Sequence, residues 1–290
     1  MPGGLTGTLT PILMFRLLNA VTAEERSAVL RDQTAHYDFV NGERDGYYLR
    51  REEAMYQKNN ILSTIEDSMD QSTTDTPHYK QGKTKSLHRT LGTKLCGLRY
   101  HGHGTFFYVT FGQCQITSSH TIHCSNESLK CMQEHYKQLG TSWPRVWYLQ
   151  LDSAGDNKNC WMLGYLGWLI ERGVFDRIEV HFLVVGHTHE DIDQLFSVIS
   201  KALYQVDVLT VAHLCELIRS SFSCEGFVKV VELWGIPDFK VRLVPCLLYC
   251  QFLISRVPNF HDHLSRHGLL ATMMPALPST PHVRRLTQEI

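Results

Sequence analysis

Between Val146 and Tyr204 the chain changes its hydrophobic period three times, and few folds accommodate that pattern. Val146–Leu151 is an apolar run of strand length that ends at Asp152. From Asn157 to Arg172 apolar residues occur nearly all round a helical wheel, the mark of a helix buried against a sheet. Gly173 suits the position just past that helix's end. Ile178–Val185 reads as a second buried strand, with a continuous Phe182-Leu183-Val184-Val185 core. A second helix, from about Glu190 to Tyr204, sets Ile192, Leu195, Phe196, Ile199 and Leu203 at helical spacing. Strand, helix, strand, helix in this order implies parallel strands and a right-handed crossover. Ligands of such sheets gather at the carboxyl ends of the strands, where Asp152 and Gly186-His187 lie.

The rest of the chain is compatible with an α/β domain carrying appendages. Its 290 residues, 43% hydrophobic and 20% charged, supply a sizeable core and argue against global disorder. Thr22 with Glu25 forms a capping-box signature, and the residues to about Asn59 read as two or three short helices interrupted near Gly42 and Gly46. Ile61–Ile65 is a short strand, followed by a polar loop. Lys94–Tyr100 and Thr105–Phe111 read as a strand pair turning at Gly102–Gly104. Ser125–Leu139 reads as a helix capped by Ser125 or Asn126, and Val208–Phe222 as another. The expected organisation is a helical lead over 1–60, an α/β core over 61–225 and an irregular, poorly ordered extension over 226–290.

Net charge of −1 selects no partner, so a nucleic-acid surface would have to be local. No apolar run reaches the ~20 residues of a membrane-spanning helix. Nine cysteines without a CxxC pair fit a reducing, intracellular compartment. Cys114, Cys124 and Cys131, with His120 and His123 nearby, match no familiar zinc spacing.

Three acids stand at strand ends or just beyond. Asp67 follows the first strand, Asp152 follows Val146–Leu151, and Asp193 opens the helix after Ile178–Val185. Carboxylates so placed can converge, and Mg²⁺ or Mn²⁺ favours an all-oxygen environment. Two such ions about 3.5–4 Å apart activate a water or hydroxyl and stabilise the leaving oxygen of a phosphodiester. Structural accounts stand beside this one. Thr188-His189-Glu190-Asp191 fits a capping box, and Asp152 could cap the helix near Asn157. His187, His189 and Asp191 also match part of the H-x-H-x-D-H pattern of zinc hydrolases, with Ile192 in place of the last histidine. Lys80–Lys94 holds five cations and no acid, either a phosphate-binding element or a solvated loop.

Three segments carry a resemblance: Leu62–Gln71, Tyr148–Asn159 and Gly186–Ser197. They resemble a widespread transposase-derived eukaryotic domain family that is itself similar to the ribonuclease H-like core of DDE transposases and integrases. The resemblance spans about residues 30 to 205. It implies a mixed central sheet flanked by helices, a carboxylate triad, Mg²⁺ or Mn²⁺, and cleavage and strand transfer on DNA in the nucleus, with no membrane association. By position the triad is Asp67, Asp152 and Asp193, with Asp70 competing for the first place and Asp191 and Glu190 for the third. His187 would orient water or contact phosphate, and Lys83, Lys85, Arg89 and Lys158 would position DNA. The chain departs from the family at Ser153, where asparagine is usual, and fold can outlive activity in a non-catalytic binding module.

Overall fold

A computed structural model of the chain describes residues 11–80, 90–112, 114, 117–182, 191–222, 226–241, 243 and 271–273. Two N-terminal helices, α1 (Pro11–Asn19) and α2 (Ala23–Tyr56), lead into strand β1 (Ile61–Ser68) and the single-turn helix α3 (Gln71–Thr74). Strands β2 (Thr93–Tyr100) and β3 (Gly104–Phe111) follow, then helix α4 (Ser118–Leu139), strand β4 (Val146–Leu151), helix α5 (Cys160–Glu171) and strand β5 (Arg177–Phe182). Helices α6 (Asp191–Gln205) and α7 (Val211–Ser221) and strands β6 (Phe227–Leu233) and β7 (Ala271–Met273) complete the described chain.

The strands form one mixed sheet in the order β6-β3-β2-β1-β4-β5-β7. The antiparallel meander β1-β2-β3 supplies one half. β4 then pairs parallel to β1, and β5 parallel to β4 through the α5 crossover. This is the ribonuclease H-like arrangement expected from the sequence, with the carboxyl ends of β1, β4 and β5 along one edge.

Both faces of the sheet are covered, so the central strands are buried almost residue by residue. Leu62, Leu98, Trp147, Leu149 and Leu151 pack against Ile122, Met132 and Tyr136 of α4 and Met162, Tyr165 and Leu166 of α5. On the other face Ile65, Leu95, Phe107 and Val109 meet Tyr47 of α2, Ile192, Phe196 and Ile199 of α6, and Leu214 and Ile218 of α7.

Three expectations need correction. First, α2 is one continuous helix of 34 residues rather than two or three short ones. Its capping box is present: Thr22 Oγ1 accepts from the Glu25 backbone N–H at 3.1 Å, and the Glu25 carboxylate accepts from the Thr22 N–H at 3.0 Å. Gly42 and Gly46 cost about 1 kcal/mol each relative to alanine. Burial of Val29, Val40, Tyr47 and Ala54, separated by near-whole numbers of turns, offsets that cost. Second, α4 begins at Ser118, not near Ser125, and Thr117 is its cap. Its early turns hid because Ser118, Ser119, His120 and Thr121 are polar yet buried, His120 against Thr110 of β3. Third, the segment after 225 is not wholly irregular, since β6 extends the sheet parallel to β3.

Candidate active site

The register of β1 against β4 runs from Ile61 opposite Val146 to Glu66 opposite Leu151. One further step sets Asp67 beside Asp152, where parallel neighbours present side chains to the same face. Across the other edge of β1, Asp67 lies opposite Gly97 of β2. A Cβ at Gly97 would sit 2.9 Å from Ile192 Cδ1 and 3.0 Å from Phe196 Cε1. The missing side chain therefore lets α6 lie directly on the sheet. Asp193, in the first turn of α6, is thereby brought near enough for its charge to act on Asp67.

The electrostatics register this convergence. Burial pushes the Asp67 carboxyl up to about 7; the Ser68 N–H, donating to its Oδ1 at 2.7 Å, opposes the rise, while the negative charges of Asp152 and Asp193 add to it. The charge of Lys94 offsets part of this repulsion. A half-buried carboxylate repelled by two others is a site that gains from a divalent cation.

Asp152 does not cap α5. Asn159 does that, accepting from the Trp161 and Met162 N–H groups at 3.0 and 3.1 Å. Asp152 Oδ1 accepts from the Ala154 N–H at 3.1 Å and from Asn157 Nδ2, with Asn157 itself buried. Among the described residues both bonds fall on Oδ1, which leaves Oδ2 for a cation.

The competitors have other partners. Asp70 is exposed and caps α3, accepting from the Ser72 N–H at 2.9 Å. Asp191 is 6% exposed and takes Arg51 Nη1 on both oxygens at 2.9 Å, with His101 Nε2 at 3.6 Å. Burial alone would raise the Asp191 carboxyl; the hydrogen bonds and charges of His101 and Arg51 outweigh it and hold the carboxyl low. Burial keeps the His101 ring below its ordinary value, against the hydrogen bond and charge of Asp191. His101 also meets Ser63 Oγ at 2.9 Å and the Tyr47 hydroxyl at 3.1 Å. Asp191 thus ties α6 to α2 and the end of β2, and Asp193 is the acid of α6 whose charge acts on Asp67. That same pairing removes Asp191 from a zinc-hydrolase arrangement.

Lys158 lies with its Nζ 4.9 Å from the centre of the Phe182 ring, at the carboxyl end of β5, and burial lowers its pKa. His187, His189 and Glu190 lie outside the described residues, as do Lys83, Lys85 and Arg89. Sequence reasoning missed Arg51 and Asn157, and took Lys94 as one end of a cationic stretch rather than as a neighbour of the acids. Asn157 stood in plain view within the motif after β4, and Lys94 opens the β2 pattern. Arg51 gives no local signal, being 140 positions from the acid it binds.

A family profile described as "Domain of unknown function (DUF7869)" matches residues 83–268, more than half of the chain. The span contains Asp152 and Asp193 and begins after Asp67. No curated protein and no solved structure matches the chain.

Proposed function

The chain belongs to the DUF7869 family, and on that premise we propose that it is a transposase-derived, divalent-metal-dependent domain for phosphodiester cleavage and strand transfer on DNA. The observation carrying this reading is the Asp67 carboxyl, lying in the fields of both Asp152 and Asp193 at the carboxyl edge of a ribonuclease H-like sheet.

The three acids offer only oxygen donors, which fits Mg²⁺ or Mn²⁺ and disfavours softer ions. When bound, such ions supply Lewis-acid activation of a water or 3′-hydroxyl and neutralise charge gathering at phosphorus. The chain's residues do the positioning. Asp67 is fixed by β1, which is hydrogen-bonded on both sides. Asn157 and the Ala154 N–H lock the Asp152 carboxylate in one orientation. The Arg51–Asp191 pair sets the height and rotation of α6, and so of Asp193. Lys158, at the same edge of the sheet, offers a cation to an incoming phosphate backbone.

Calorimetric titration with Mg²⁺ and Mn²⁺, on the chain and on Asp152→Asn, tests this. Binding to the parent that is lost in the variant is expected, followed by metal-dependent nicking or joining of DNA. A folded parent that binds neither ion, with or without DNA, leaves a non-catalytic binding module as the better account.

A further inference from the structure

On the opposite face of β1 from Asp67, a second cluster lies wholly inside the protein. Cys96 on β2 and His120 and Cys124, one turn apart on α4, bring Sγ, a ring nitrogen and Sγ within 4.8 Å of one another. All three are buried: Cys96 is 2% exposed, His120 1% and Cys124 0%. A fourth donor stands beside Cys96. Glu66, 2% exposed, has Oε1 3.5 Å from Cys96 Sγ.

We infer that Cys96, His120, Cys124 and Glu66 form a structural zinc site that staples β1 and β2 to α4.

The separations suit a tetrahedron. Zinc bonds of about 2.3 Å to sulfur and about 2.0 Å to nitrogen or oxygen set neighbouring donors about 3.5 Å apart. The Glu66 Oε1 to Cys96 Sγ separation is 3.5 Å, and His120 Nε2 lies 3.9 Å from Cys124 Sγ. Closing the site would draw the Cys96, His120 and Cys124 donors together from within 4.8 Å of one another and turn the Glu66 carboxylate from its place beside Cys96 toward the same point. The second Glu66 oxygen is already held by the Ser125 hydroxyl at 2.5 Å, as an outer partner holds a ligating carboxylate. Thr110 Oγ1, 3.3 Å from His120 Nε2, keeps the Lys94 carbonyl as an alternative acceptor at 3.4 Å and can release the ring.

Charge favours the same reading. Two thiolates, one carboxylate and a neutral imidazole around a zinc ion leave a single negative charge. Lys94 is the cation whose field reaches Glu66, Cys96 and Cys124. The familiar linear zinc spacings are absent because the ligands come from two strands and a helix. Cys114 and Cys131 take no part: their sulfurs meet the Leu233 carbonyl and Lys229 Nζ.

The full chain, produced in zinc-supplemented medium and purified without chelators, should carry about one zinc per molecule by elemental analysis. Cobalt should replace it and give thiolate-to-metal charge-transfer bands, a readout that requires no variant. Glu66→Gln should weaken zinc at least about tenfold, and Cys124→Ser should remove both metal and bands. Asp152→Asn should keep the zinc, which separates this site from the carboxylate triad. A folded parent lacking stoichiometric metal and cobalt bands overturns the inference, as does a Cys96–Cys124 disulfide in protein prepared under reducing conditions.

Discussion

At the scale of single residues, Asp67 makes the sharpest claim. Its folded-state pKa is raised from 3.8 to about 7, so the folded protein holds a proton that the unfolded chain gives up. Between these values stability falls as pH rises, and above about 7 the penalty is constant. Asp67→Asn removes it. In metal-free buffer the variant should match the parent below about pH 4 and exceed it above about pH 7, by on the order of 1–2 kcal/mol once partial exposure is allowed for. Urea unfolding across pH in chelator checks this, and a variant less stable than the parent at alkaline pH would contradict it. Saturating Mg²⁺ should reverse the order, because only the parent gains ligand stabilisation of about 1.4 kcal/mol per decade of concentration above its Kd. Arg51 makes a second claim. Arg51→Met strands Asp191 at 6% exposure, and breaking so buried a pair costs about 3 kcal/mol. Adding Asp191→Leu should restore part of that loss in a double-mutant cycle, whereas simple additivity would argue that the pair is not coupled.

At the scale of elements, what could be read in the sequence depended on whether the signal was local. The run Val146 to Leu151 and the spacing of Ile192, Phe196, Ile199 and Leu203 are local patterns, and both elements lie where they point. The acids at the ends of β1 and β4 were legible for the same reason. The continuity of α2 was not, because propensity at Gly42 and Gly46 opposes it and only tertiary burial of Tyr47 and Ala54 decides. The first turns of α4 were hidden by polar residues that are buried there, such as His120, whose partner Thr110 lies on β3. Gly97 is the element-scale hinge of the candidate site, because α6 rests where its side chain would be. Gly97→Val should cost about 1–3 kcal/mol by overpacking and should lift α6. Divalent-ion affinity should fall with it, since Asp193 moves away from Asp67. Calorimetry on the folded variant decides: unchanged affinity would mean that Asp193 is not a ligand.

At the scale of the molecule, β1 governs which piece of the chain can fold. It lies between β2 and β4, bonded to both, and it joins the meander half of the sheet to the crossover half. It also carries Asp67 on one face and Glu66 on the other. The stretch shared with the family, 83–268, begins beyond it and beyond α2. A fragment with those bounds has β2 and β4 with no strand between them. Ile65, which packs with Leu95, Phe107 and Phe196, and Leu62, which packs with Trp147, are then both missing from the core. That fragment should give no cooperative unfolding transition and should aggregate through its unpaired edges. The full chain should unfold in a single transition, with circular dichroism and tryptophan fluorescence coinciding, because α2 shares its apolar cluster with β1, α6 and α7. A second, separate transition would mean that the N-terminal helices form a unit of their own. Cooperative folding of 83–268 alone would mean that another segment takes the place of β1 at the sheet's centre. In that event neither Asp67 nor Glu66 could belong to the sites assigned to them.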